Sequence, residues 1–162
     1  MTALKTLLFT VILPGAATVY IPYWLLSSPS VRASLPIGNF RYIGLIPIVI
    51  GAAIYFWCAW DFTFTGRGTP APIDPPKELV VKGLYRYTRN PMYVGILTLL
   101  FGEAVFFASR QLLIYAGVVF LIFHLFVMLY EEPTLRRKFG GSYKRYCESV
   151  PRWIPRIRNL AQ

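Results

Sequence analysis

The chain has 162 residues, 56% of them hydrophobic, with a mean hydropathy of +0.50 and a formal charge of +10. A soluble domain averages about 45–50% apolar residues; the surplus here sits in long uncharged blocks, which excludes an ordinary water-soluble globule and indicates one membrane-embedded domain, residues 1–162. Two cysteines without metal spacing and a single histidine exclude a disulfide framework, a zinc site and a His-dependent hydrolase, so no metal is expected.

A helix needs about 20 mainly apolar residues to cross the hydrocarbon core. The first candidate span covers residues 4–26 and begins beside the charge of Lys5. It runs on through Val19, Tyr20, Ile21, Tyr23 and Trp24, too far for a signal-peptide core, so it is read as a retained span. Pro14 and Pro22 should kink it, as membrane helices tolerate. The second span, 42–62, carries Tyr55, Phe56, Trp57 and Trp60 near its end, as in an interfacial aromatic belt. Residues 63–76 are dense in glycine and proline and read as a loop. The third and fourth spans, 91–109 and 111–130, are separated by little more than Arg110, which makes them an antiparallel helical hairpin. Helix is required, because an open strand in lipid would leave backbone groups unpaired.

Beyond Tyr130 the chain turns polar. Leu135 and Phe139 fall four residues apart, Gly140 and Gly141 interrupt the run, and Tyr143 and Tyr146 follow: a short helix, a turn and a second short helix. The expected fold is therefore all-α and polytopic, with about four transmembrane helices, a C-terminal hairpin and a short amphipathic tail. Lys and Arg are distributed fourteen to three between the two sides that four spans define. The positive-inside rule then places both termini in the cytoplasm. The same cations suit anionic lipid headgroups. Nucleic acid is not an expected partner, since Glu148, Trp153 and two prolines spoil the tail as a basic arm.

Three features could carry chemistry. Asn90 and Pro91 open the third span as N-cap and first helical residue, and Arg86 and Arg89 beside that helix N-terminus make it a ready anion site or a headgroup anchor. Glu131 and Glu132 end the fourth span, where the helix dipole disfavours negative charge, so the arginines of the preceding loop should compensate. A carboxylate there either clasps the hairpin by a salt bridge or accepts hydrogen bonds from a ligand's hydroxyls or amine. Glu103 and His124 lie inside the last two spans, where ionisable groups usually face a cavity or a partner.

Gly83-x-Tyr85-x-x-x-Arg89-Asn90-Pro91-x-Tyr93-x-Gly95 resembles the G-x-Y-x-x-x-R-H-P-x-Y-x-G motif of the isoprenylcysteine carboxyl methyltransferase and phospholipid methyltransferase group. Glu131-Glu132-x-x-Leu135-x-x-x-Phe139-Gly140-x-x-Tyr143-x-x-Tyr146-x-x-x-Val150 is similar to that family's tail, and the two halves together cover roughly residues 80–155. The resemblance implies an S-adenosylmethionine-dependent methyltransferase acting on a lipophilic acceptor (isoprenoid, carboxyl or phospholipid-like) that enters from the bilayer. It implies a cofactor pocket built from segments 80–95 and 131–155. Tyr85, Asn90, Pro91, Tyr93 and Gly95 would form one wall; Glu131, Glu132, Leu135, Tyr143 and Tyr146 would form the other. Arg89, nearest the reacting group, and Glu132 are the candidate catalytic residues.

The chain departs from the family at Asn90, where the isoprenylcysteine enzymes carry histidine. It departs also in residues 123–130, which lack their arginine and further acidic residues, and in having four spans. These differences favour another lipophilic acceptor over prenylcysteine itself. Two alternatives stand beside this reading. One is an NADPH-dependent membrane sterol or lipid reductase, which would share the hairpin and the Asn-Pro-x-Tyr approach to it. The other is a non-enzymatic membrane scaffold, which leaves the pairing of Arg-Asn-Pro with Glu-Glu unexplained.

Overall fold

Every regular element among the described residues is helical. The computed structural model describes residues 11–27, 35–64, 79 and 81–155. The start of the first expected span with Lys5, the charge at Arg32, most of the glycine- and proline-rich loop, and residue 80 of the expected pocket lie outside them.

The first helix, α1 (Val11–Ser27), is distorted between its prolines by a wider π-turn, Ala16–Tyr20. Proline clashes with the carbonyl four residues earlier and has no N–H to give. Widening the ladder by one residue relieves the clash, and Ile21 N–H bonds back to Ala16 O. In that register Pro22 should donate to Ala17 O and cannot; the hydroxyl of Tyr115 reaches across to donate at 2.9 Å instead. The expected kink is thus a π-turn with its orphan carbonyl satisfied by a neighbouring helix.

A 3-10 turn, Gly38–Gly44, leads into α2 (Leu45–Phe64), which packs closely on α3 (Pro91–Phe106). Glycine decides how closely. A Cβ on Gly51 would sit 2.5 Å from Gly95 O, and one on Gly44 would sit 2.6 Å from Gly102 O. Residues 44 and 51 thus face 102 and 95, seven apart on each side, so the helices are antiparallel and their backbones touch. Small residues are what membrane helices use for such contact, where water supplies no hydrophobic drive. The core forms along this pair, from Cys58, Tyr85, Met92, Ile96 and Leu100. Tyr55 belongs to that core at 5% exposure, while Phe56, Trp57 and Trp60 lie outside it and exposed. The aromatic belt therefore loses Tyr55.

After Phe106 a tight turn through Ala108 (φ 49°) leads to α4 (Arg110–Phe126), so the third helix stops three residues short of its expected end. Ser109 caps α4, its hydroxyl accepting from Leu112 N–H at 3.3 Å. A second π-turn, Val127–Glu131, joins α4 to α5 (Glu132–Ser149), again two residues before a proline, Pro133. Gly140, at φ 52° and ψ −125°, breaks α5 where the Gly-Gly pair suggested a turn.

Gly38–Asp61 and Arg110–Ser149 are long and apolar enough to cross a membrane, and Val11–Ser27 and Pro91–Phe106 are shorter apolar helices. Their outer faces are bare of polar cover: Val49, Trp57, Ile114, Ile122 and Leu129 are among the large apolar side chains left exposed. So large an apolar exterior is unfavourable in water and suits lipid. The expectation of an all-helical fold holds for the described residues.

Candidate functional site

Glu131 and Glu132 do not end a helix. The backbone stays helical from Arg110 through the π-turn and on to Phe139, so there is no terminal row of carbonyls to repel them, and the expected dipole conflict does not arise. The π-turn instead shifts the side chains that follow it by one residue relative to α4.

Glu132 is buried and holds two arginines. Arg89 Nη1 donates to Oε1 at 3.0 Å; Arg152 donates from Nε to Oε1 at 2.7 Å and from Nη2 to Oε2 at 3.0 Å. The Arg152 contact is a two-pronged fork, the strong form of this pair. Arg89 and Glu132 are nearly sequestered, at 12% and 8% side-chain exposure, and Arg152 keeps 30%. The carboxylate raises the already high pKa of Arg152 through the bond it accepts. Arg89 also places Nη1 2.9 Å from Cys147 Sγ, and its Nε is buried with no partner among the described residues. Glu131 accepts from Tyr93 at 3.0 Å, and the Tyr93 ring lies against Phe123, centroids 4.6 Å apart.

The tail closes this cluster by its backbone. Residues 150–153 lie across the approach to α3, and Arg89 N–H donates to Pro151 O at 2.9 Å. Thr88 Oγ1 is shared between Arg152 O at 3.0 Å and Trp153 O at 3.2 Å. Asn90 occupies the N-cap position but its side chain caps nothing; Nδ2 donates to Arg152 O at 3.1 Å. Trp153 then reaches the α4 face, giving its indole N–H to His124 Nδ1 at 3.1 Å and packing on Phe120. That bond fixes His124 as an acceptor at Nδ1. Glu103 Oε2 is buried without a partner among the described residues.

The remaining expected residues divide. Tyr146 donates to Tyr85 O at 2.7 Å, tying α5 to the 3-10 turn Gly83–Arg86. Burial pushes the phenols of Tyr85, Tyr143 and Tyr146 well above the usual tyrosine range, so they remain neutral hydrogen-bonding groups. Leu135 packs beside Tyr143, Tyr146 and Val150 in a small second core. Pro91 is fully buried at the first turn of α3. Gly95 stands apart: its missing side chain makes room for Gly51 of α2. Sequence reasoning passed over Arg152, Thr88, Trp153 and Cys147. The only signal was the framing of Arg152-Trp153 between Pro151 and Pro155.

An apolar cavity of about 640 Å³ opens between α1, α2 and α3, lined by Ala16, Tyr23, Ala52, Tyr55 and Ile96 among others. Tyr55 and Ile96 share the core with Tyr85 and Met92, so the cavity backs onto the packing beneath the polar cluster.

The family model for phospholipid methyltransferases matches residues 40–142, well over half of the chain. A probable protein-S-isoprenylcysteine O-methyltransferase of rice (Oryza sativa) is 28% identical over 120 residues, 72% of this chain and 61% of the relative. Protein-S-isoprenylcysteine O-methyltransferase A of Arabidopsis thaliana is 35% identical over 77 residues, 48% of this chain and 39% of the relative. The corresponding enzyme of Schizosaccharomyces pombe is 33% identical over 79 residues, 49% of this chain and 34% of the relative. The chain thus spans about three-fifths of the rice protein and two-fifths or less of the others.

Proposed function

Because the chain belongs to the phospholipid methyltransferase family, we propose that it is a multi-pass membrane enzyme transferring a methyl group from S-adenosylmethionine to a lipophilic acceptor. The observation that carries this reading is the buried Glu132, held by Arg89 and Arg152 beside the Glu131–Tyr93 pair. Salt-bridged carboxylates alone would fit a structural clasp. The orphaned Arg89 Nε adds an unmet donor inside the cluster, which a ligand acceptor would satisfy.

The residues present fit the cofactor. Glu131 and Glu132 can accept from its amine and ribose hydroxyls, Arg89 can meet a carboxylate, and the tyrosine rings offer π-faces to a sulfonium. Bound there, S-adenosylmethionine would supply an already activated methyl group, so neither a metal nor a covalent enzyme intermediate is called for. The chain's own task is alignment and exclusion of water. Arg89, fixed by Glu132, is placed to orient an acceptor oxygen. The strap 150–153 covers the approach to α3, and the apolar cavity between α1, α2 and α3 has room for an acceptor's hydrocarbon chain.

The test is calorimetry of S-adenosylmethionine binding to detergent-purified protein. Wild type should bind, and Glu132→Gln, which keeps size but removes charge, should lower affinity at least about tenfold (~1.4 kcal/mol). Heat from NADPH and none from S-adenosylmethionine would sink this reading in favour of a reductase.

A further inference from the structure

The polar cluster, as it stands, balances its own charge. Arg89 and Arg152 both bond Glu132, beside Glu131, which accepts from Tyr93; two arginines and two carboxylates leave no net charge over for a ligand. S-adenosylmethionine carries a sulfonium, an ammonium and a carboxylate, and is a net cation. If Arg152 leaves, the two carboxylates exceed Arg89, and the remaining site is an anionic one suited to that cation.

We propose that Arg152 is a gate: a resident counter-ion on Glu132 that must withdraw for the cofactor to bind. This rests on the methyl-transfer reading above. Four observations place the gate on this residue. Both oxygens of Glu132 are taken by the Arg152 fork, so the carboxylate has little left to offer a ligand while the fork is in place. Asn90 Nδ2 is likewise spent on Arg152 O, so the same residue blocks both walls, one with its side chain and one with its backbone. Arg152 is the most exposed of the three ion-paired residues, and it sits on an irregular strap rather than in a helix. The strap is held to α4 by Trp153, whose indole bonds His124 and packs on Phe120. Arg89, in contrast, is buried at the start of α3 and keeps its own ion pair with Glu132 when Arg152 leaves; only its backbone N–H, bonded to Pro151 O, depends on the strap.

The sign of the effect separates a gate from a receptor. If Arg152 helped to hold the cofactor, its removal would weaken binding; if it competes for Glu132, its removal strengthens binding. Arg152→Gln and Trp153→Ala, the second releasing the strap from α4, would be compared with wild type and Glu132→Gln in two measurements. One is S-adenosylmethionine affinity by calorimetry. The other is the alkylation rate of Cys147, which is half-buried against Arg89; Cys58, fully buried, stays silent. The expected result is S-adenosylmethionine binding about five- to tenfold tighter in Arg152→Gln. Cys147 alkylation should be several-fold faster in both strap variants, and added cofactor should speed it in wild type. Weaker binding in Arg152→Gln, with wild type still binding, overturns the gate while leaving the methyl-transfer reading in place. Unchanged affinity and unchanged alkylation overturn it equally. No binding by any variant, each shown folded by its melting profile, removes both readings together.

Discussion

At the scale of the residue, position in the chain says little about what an ionisable group is worth; the partner decides. Glu132 is buried between two arginines, so deleting it leaves Arg89 buried and unpaired. Loss of one partner from a buried pair costs about 3–5 kcal/mol. Glu132→Ala is therefore expected to melt well below wild type as well as to lose ligand. Tyr146→Phe isolates a smaller effect: it removes the phenol that donates to Tyr85 O at 2.7 Å in a buried place. About 1–3 kcal/mol of stability should go with it, read as a lower melting temperature in detergent. Arg89 and Glu132 could be singled out in the sequence because each sits in a spaced pattern with its neighbours. Arg152 could not. It is one cation in a basic tail, and its partner is twenty residues earlier, on a face set by the π-turn. Asn90 was legible as the residue before the helix but not as the donor to Arg152 O, since that bond exists only once the tail has folded back.

At the scale of the element, two sequence devices recur. Each π-turn precedes a proline by two residues, Ala16–Tyr20 before Pro22 and Val127–Glu131 before Pro133. The first lends a carbonyl to Tyr115; the second sets the direction of Glu131 and Glu132. The prolines could be read as kinks in advance, but proline alone does not distinguish a π-turn from a simple bend. The second device is the glycine contact of α2 with α3. Gly51→Val would put a branched side chain where Gly95 O and Leu99 N already stand, 2.5 Å from the new Cβ. Overpacking of this kind costs about 1–3 kcal/mol, and the backbones must separate. Gly117→Ala on α4 meets nothing within 4 Å and should be neutral or stabilising by about 0.5–1 kcal/mol. Opposite shifts of the two melting temperatures are the expected result; equal shifts would deny that the helices touch. Gly95 shows why a motif does not reveal its own reason. The residue was read with the site, and the contact it makes is with another helix.

At the scale of the whole molecule, the apolar blocks made the helices legible, while their exact ends moved by a few residues because turns are set by local capping at Ser109 and by Gly38. We propose that four spans leave both ends of the chain in the cytoplasm. Reporter fusions at residue 162 and in the 107–109 turn should then give opposite topologies, and matching signals would refute the four-span arrangement. The outer side of α5 exposes Arg136, Arg137, Lys138, Lys144 and Arg145. We expect the purified protein to bind vesicles containing phosphatidylserine more tightly than neutral ones, with the difference fading at high salt. The tie between the approach to α3 and the strap has a further consequence, in the order of synthesis. Thr88 and Asn90 find their partners more than sixty residues downstream. Until the strap has left the ribosome, Thr88 and Asn90 have only water in place of those partners. A chain halted short of Pro151 would carry Arg89, Tyr93, Glu131 and Glu132 without the strap that closes over them. The cover on the cluster is then made after the cluster itself.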